Sequence, residues 1–177
     1  MATLRVPVGP GDHIRGNPAA PVSLVEYGDY ECPACGLAHT IVAQVRAHFG
    51  DNLCLVFRHF PLTEVHPNAG PAAEAAEFAG AHGLFWEMHD GIYRNQARLG
   101  LPLLFTIANA FGLPTGLLAD ALENHTYGPE VQSDFLGGVR SGVNGTPTFF
   151  VNGLRHDAPF DFPTLIAAIE AAAIRAA

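Results

Sequence analysis

From residue 22 the chain reads Val-Ser-Leu-Val-Glu-Tyr, an apolar, β-branched run that predicts a strand over 22–27. Residues 33–49 follow with Leu37, Ile41, Val45 and Phe49 at four-residue spacing and Gly50 at the end, the pattern of an amphipathic helix. Residues 53–58, Leu-Cys-Leu-Val-Phe-Arg, are nearly all apolar, as suits a buried parallel strand. The next stretch changes character. Helical patterns cover 71–82 (Pro71 at the first position, Gly83 after the end), 84–94 (Phe85, Met88 and Ile92 on one face), 102–111, 115–124 and 129–141. They predict a helical insertion over about residues 64–142. Beyond it, Thr148–Val151 and Leu154–His156 are short strands joined by Asn152-Gly153, a strong hairpin signal. Asp161 caps a last helix running to about residue 175, with Leu165, Ile166 and Ile169 inward. Residues 1–20, rich in Pro and Gly, read as an irregular lead-in. The result is an α/β chain, β-α-β, helical insertion, β-β-α, in a single domain over 1–177.

Composition narrows the function classes. Hydrophobic residues make up 49% and charged residues 15% of the 177, enough for a real core. A net charge of −8 with no basic run argues against nucleic acid. No apolar stretch reaches the roughly 18–20 residues of a bilayer span. Residues 1–16 lack the apolar segment of a secretory signal, so with Met1 as the native start the expected location is cytoplasmic. No dimerisation domain is visible, and a monomer is expected.

Three cysteines suit one working pair and one spare. Cys32-Pro33-Ala34-Cys35 stands where the first strand passes into the first helix, the signature of thiol–disulfide exchange. Exchange needs a thiolate, and Cys32 lies where unpaired helix N–H groups and the helix dipole favour negative charge. Pro33 fits the first helical position. Cys35 sits one turn inside, which predicts Cys32 as the exposed attacking thiol, Cys35 as the buried resolving thiol and a Cys32–Cys35 redox disulfide. Asp29 and Glu31 bring negative charge close, and Ala34 supplies no donor, so the expected acidity of Cys32 is modest. A zinc half-site is the competing reading of the pair, but it would have to recruit Cys54 and His39, and no metal or cofactor is expected. Pro147 begins an apolar strand, and on spacing alone it is a strand-start proline.

Taken together, Val22–Cys35 and Gly142–Gly153 resemble the DsbA-like thiol–disulfide oxidoreductases of bacteria. His13–Pro21, Phe57–Leu62, His66–Ala69 and Phe85–Asp90 are similar to the subgroup whose members occur alone or fused to sodium/proton antiporters. The likeness covers about residues 13–175. It implies a thioredoxin-like fold, a central mixed sheet flanked by helices, with the helical insertion. It implies that Cys32 is the nucleophile, that Pro147 is cis and faces the disulfide, and that Thr146 offers its backbone to an extended substrate, with Pro33 and Ala34 beside it. It also implies that Glu26 is a buried acid beneath the site, able to relay a proton to or from Cys35. The partners implied are protein or peptide thiols and disulfides, and a redox recycling partner. Two departures, Ala34 in place of histidine and the missing export signal, weigh against a strongly oxidising role. A thioredoxin-fold binding or chaperone-like module with vestigial cysteines is the alternative function. Cys54 is expected to be a buried small hydrophobe, His39 a surface residue, His59 and His66 loop-packing residues, and Phe85, Trp86 and Tyr93 part of the insertion's core.

Overall fold

The computed structural model describes residues 2–176. One sheet carries five strands in the order β1-β3-β2-β4-β5: β1 (His13–Gly16), β2 (Val22–Gly28), β3 (Leu53–His59), β4 (Thr148–Val151) and β5 (Leu154–His156). β2 and β3 run parallel, Val22 against Leu53, with helix α1 (Pro33–Phe49) as the crossover. β4 lies antiparallel on the other side of β2, and β4 and β5 form the hairpin turned by Asn152 and Gly153, both at positive φ. Helix α7 (Phe162–Ala176) is capped as the sequence predicts, Asp161 Oδ1 accepting the Thr164 N–H at 2.9 Å.

The period of two along β2 divides its side chains between two faces. Val22 and Leu24 join Leu55, Phe149 and Val151 under α1 and α7, while Val25 and Tyr27 pack with Val56, Phe60 and Phe150 on the other face. Glu26 falls in the first set, which sends a carboxyl under α1. The inward stripe of α1 is Cys35, Ala38, Val42 and Val45, not the four-residue series of the sequence reading. Leu37 is 59% exposed, and Ile41 and Phe49 are half-buried. Small Cys35 and Ala38 let the start of the helix lie close to the sheet, and the larger side chains flank that contact.

Between β3 and β4 come α2 (Ala69–Ala81), α3 (Phe85–Arg94), α4 (Leu101–Ala110), α5 (Thr115–Glu123) and α6 (Gly128–Arg140). α2 begins two residues before Pro71, which still lies in the first turn, where a missing N–H costs nothing. Six of its alanines are buried, and α3, α4, α5 and α6 all close around it. Met88, Ile92, Leu104 and Leu118 fill the space between.

The lead-in is not irregular throughout. β1 pairs antiparallel with β3, Ile14 against Val56. Four residues with His and Arg at alternate positions carry no apolar alternation, so the strand leaves no signal in the sequence. Polar anchors hold it instead. Buried Arg58 of β3 donates from Nε and Nη2 to the two oxygens of Asp12 at 2.7 and 3.0 Å, and from Nη1 to the carbonyl of Val6 at 2.8 Å. Arg15 donates to both oxygens of Asp90 in α3. Gly16, at φ +100°, passes so close to the carbonyl of Leu53 that a Cβ has no room.

Candidate active site

β2 ends at Gly28, and the chain turns through Asp29, Tyr30 and Glu31 into α1. Asp29 organises that turn. Its Oδ1 accepts the N–H groups of Glu31 (2.8 Å) and Cys32 (3.2 Å), and its Oδ2 accepts the N–H of Leu62 (2.8 Å) and pairs with His66 Nδ1 (2.8 Å). Glu31 is turned to Asn68, accepting its backbone N–H at 2.6 Å and its side-chain amide at 2.8 Å. Asp29 thus accepts from the Cys32 backbone while Glu31 is turned away to Asn68, and neither is among the leading influences on the Cys32 thiol, which is more acidic than the modest acidity expected from two nearby carboxylates.

Cys32 is the N-cap of α1, with extended backbone, and Pro33 follows as the first helical residue. Both pair members are thiols here. Cys32 is 8% exposed, less open than the sequence reading supposes, and Cys35 is fully buried. The Cys32 thiol is lowered to about 5. A hydrogen bond from the Cys35 thiol contributes most; burial opposes it, and the N–H groups of Cys35 and Ala34 and the Thr146 hydroxyl add to it. At pH 7 roughly 99% of such a group is thiolate. Cys35 moves the other way, far above an ordinary thiol, through burial, its bond to Cys32 and the nearby Glu26.

Thr146 and Pro147 meet the pair from across the sheet. The Thr146–Pro147 peptide is cis, and the carbonyl of Thr146 accepts from the Cys32 thiol at 3.4 Å. The Thr146 hydroxyl is buried beside the pair, near enough to favour the Cys32 thiolate but outside hydrogen-bonding geometry. Thr148 Oγ1 donates to the carbonyl of Gly145 at 2.7 Å and ties the loop down.

Glu26 is 3% exposed, with Oε1 unpartnered among the described residues. Burial alone raises its carboxyl to about 8, so it is mostly protonated at neutral pH. It lines a cavity of about 140 Å³ together with His39, Arg46, His89, Asp90 and Arg94. His39 is not a surface residue. Half-buried on α1, it hydrogen-bonds Asp90 Oδ1 at 3.0 Å and stacks on Tyr93. Burial raises the Asp90 carboxyl, but bonds from His39 and Arg15 outweigh it and hold it below the usual carboxylate range.

Of the remaining candidates, Cys54 is buried in β3. His59 is likewise in β3 rather than a loop. Phe85 and Tyr93 are buried in the insertion's core cluster, and Trp86 packs against it while donating to the carbonyl of Ile14 at 3.1 Å. Gln96 escaped the sequence reading. From a single turn after α3 (Gln96–Arg98), its Nε2 donates to the carbonyls of Tyr30 (2.9 Å) and Cys32 (2.8 Å), bracing the active-site turn from the insertion. Gly36 leaves room for this brace, because a Cβ there would push the Gln96 amide aside. A lone glutamine far along the chain offers no pattern by which to find it.

The sheet order, the crossover helix and the helical insertion make this a thioredoxin-like fold of the DsbA type. The family model described as Thioredoxin matches residues 9–171, and the chain belongs to that family. Among solved structures it resembles oxidised BdbD from Bacillus subtilis, with TM-score 0.88 and 23% identity over 98% of both chains. It resembles alpha-DsbA1 of Wolbachia pipientis at TM-score 0.84 and 20% identity, over 98% of this chain and 96% of that one. A thioredoxin-like oxidoreductase from Silicibacter pomeroyi DSS-3 is 28% identical, with TM-score 0.79 over 93% of both chains. Among curated proteins, the Na(+)/H(+) antiporter NhaA 1 of Mycobacterium sp. (strain KMS) is 45% identical over 172 residues, 96% of this chain but 28% of that protein. The Salinispora arenicola (strain CNS-205) protein of the same name is 45% identical over 170 residues, 96% of this chain and 26% of its own length. The chain thus spans about a quarter of these relatives. No helix among the described residues is long and apolar enough to cross a membrane.

Proposed function

We propose that the protein is a thiol–disulfide oxidoreductase that exchanges a Cys32–Cys35 disulfide with protein thiols through a mixed disulfide at Cys32. The observation that carries this reading is the placement of two neighbouring thiols, Cys32 at the N-cap of α1 against the carbonyl of Thr146 and the cis Thr146–Pro147 peptide, and Cys35 fully buried within the first turn, with Cys32 shifted toward the thiolate and Cys35 toward the thiol. One is made ready to ionise and the other to stay protonated, a division of labour that two inert buried thiols have no need of.

In the oxidising direction a substrate thiolate attacks Cys32 Sγ. The Cys32–Cys35 bond breaks, a substrate–Cys32 disulfide forms, and the electron pair leaves on Cys35. Glu26, protonated below about pH 8, supplies the proton that Cys35 takes up. A second substrate thiolate then attacks the substrate sulfur of the mixed disulfide and expels Cys32 as its stabilised thiolate. The substrate leaves oxidised by two electrons and the protein reduced by two; a disulfide-donating partner restores it. The low basicity of Cys32 makes it a good leaving group, which favours this direction over reduction. An extended segment of substrate lies along Thr146, with Pro33 and Ala34 beneath it.

The Cys35→Ser variant tests the scheme. Incubated with a disulfide-bonded protein, it is expected to accumulate a covalent adduct at Cys32 that dithiothreitol releases, because no resolving thiol remains. An adduct at Cys54, or partner capture unchanged when both Cys32 and Cys35 are serine, would instead favour a binding module with vestigial cysteines.

A further inference from the structure

We propose that His13, His59 and Glu77 form a binding site for one divalent transition-metal ion of the zinc class, on the lead-in side of the fold and separate from the thiol pair. The three residues come from three elements, β1, β3 and α2. Glu77 Oε1 meets His13 Nε2 at 2.7 Å and His59 Nε2 at 2.8 Å, and one ligand atom from each residue lies within 4.8 Å of the other two. Two imidazole nitrogens and a carboxylate oxygen are the donor set of an open zinc site, which needs only a water to complete a tetrahedron. Ligand atoms bound to one such ion stand roughly 3.3 Å apart, so the imidazoles have to back away from Oε1 by about half an ångström.

The surroundings supply the rest. His13 and Glu77 line an open cavity of about 610 Å³ that a hydrated cation can enter; its wall is mixed in charge, with Glu130 and Asp134 beside Arg140 and with Asp12 already paired to Arg58. Among the described residues Glu77 is ion-paired with these two histidines alone, and no guanidinium sits on it. The comparison with His39, His89 and Asp90, the other such cluster, decides between them. There Arg15 and Arg94 already neutralise the carboxylate, and their charge would repel a cation. The ligands are also held in place. The His13 ring stacks on Phe85 with centroids 3.5 Å apart, and the His59 backbone N–H donates to Asp134 Oδ2 at 2.9 Å.

One feature limits the affinity. A metal on Nε2 puts the His59 proton on Nδ1, which is buried and has no acceptor among the described residues. The site is therefore expected to bind reversibly, more weakly than a closed four-ligand structural zinc. Once bound, the ion would tie the lead-in strand to the insertion.

Thiols bind zinc too, so the test uses chelator-stripped, oxidised protein comprising residues 1–177 and carrying Cys54→Ser. Calorimetry with zinc chloride is expected to show one equivalent bound, and cobalt(II) is expected to give a visible spectrum without thiolate charge-transfer bands. Glu77→Gln and, separately, His13→Ala should each weaken binding by ~100-fold or more, with circular dichroism confirming the fold. Failure of the oxidised protein to bind stoichiometric zinc at ~100 µM would overturn the proposal. So would unchanged affinity in the folded Glu77→Gln variant, or a cobalt spectrum showing sulfur ligation.

Discussion

Replacing Cys32 by serine is expected to reduce thiol–disulfide exchange to the uncatalysed background, the largest single effect in this chain. Serine cannot form the mixed disulfide, and neither remaining thiol can substitute. Cys35 is fully buried and driven far above the range in which it ionises, and the Cys54 thiol is buried in β3 and raised by burial. Wild-type reactivity should follow pH in the same sense. With Cys32 near 5, its alkylation by iodoacetamide should stay nearly level from pH 8 down to about 6, reach half its plateau near pH 5 and vanish below. An ordinary thiol would fall tenfold per unit below about pH 8. Exchange that persists in Cys32→Ser, or a reactivity midpoint near 8.5, contradicts the site as described.

Glu26→Gln should make the protein markedly more stable in alkali. The folded carboxyl titrates near 8 against an ordinary value of 4.5, with burial the cause. Between those values the folded chain keeps a proton that the unfolded chain has lost, so wild-type stability falls as pH rises from about 4.5 to about 8. The accumulated loss is on the order of 4 kcal/mol at pH 8 and above. Glutamine has nearly the same shape and no charge to bury, and should recover most of that loss. Urea unfolding at pH 4 and pH 8.5 reads this directly: the two proteins should be similar at pH 4 and diverge at pH 8.5. The variant should also resolve mixed disulfides more slowly, by ~100-fold, because the proton partner of Cys35 is gone. Parallel stability curves would mean that Glu26 is not buried as an acid. Divergent curves with unchanged exchange would leave it buried but idle.

The parts of the fold visible in the sequence are those written as local periodicity. The strands at Val22 and Leu53, the helices of the insertion and the Asn152-Gly153 hairpin all carry their own pattern, and each lies within a residue or two of its expected place. β1 was hidden because pairing along β3 and the anchors Arg58–Asp12 and Arg15–Asp90 make it, not alternation. The α1 stripe was misplaced because close packing selected Cys35 and Ala38 over larger neighbours. In the site, Cys32 and Cys35 are legible from spacing, and Thr146, Pro147 and Glu26 only through family likeness. That Asp29 and Glu31 are engaged by other groups was not legible at all. It depends on partners brought in by Leu62, His66 and Asn68, which sequence distance conceals. Gln96 is hidden for the same reason.

The reduction potential of the Cys32–Cys35 pair tests the central claim most directly. Thioredoxin, with a nucleophile near pKa 7, lies at about −270 mV. Lowering that pKa to about 5 stabilises the reduced form at pH 7 by roughly 2.3 kcal/mol, which moves a two-electron couple by about 50 mV. Equilibration with glutathione, followed by thiol trapping and peptide mapping, should therefore show a reversible Cys32–Cys35 disulfide near about −220 mV. A protein that forms no reversible disulfide between these two cysteines, or pairs Cys54 instead, would contradict the account.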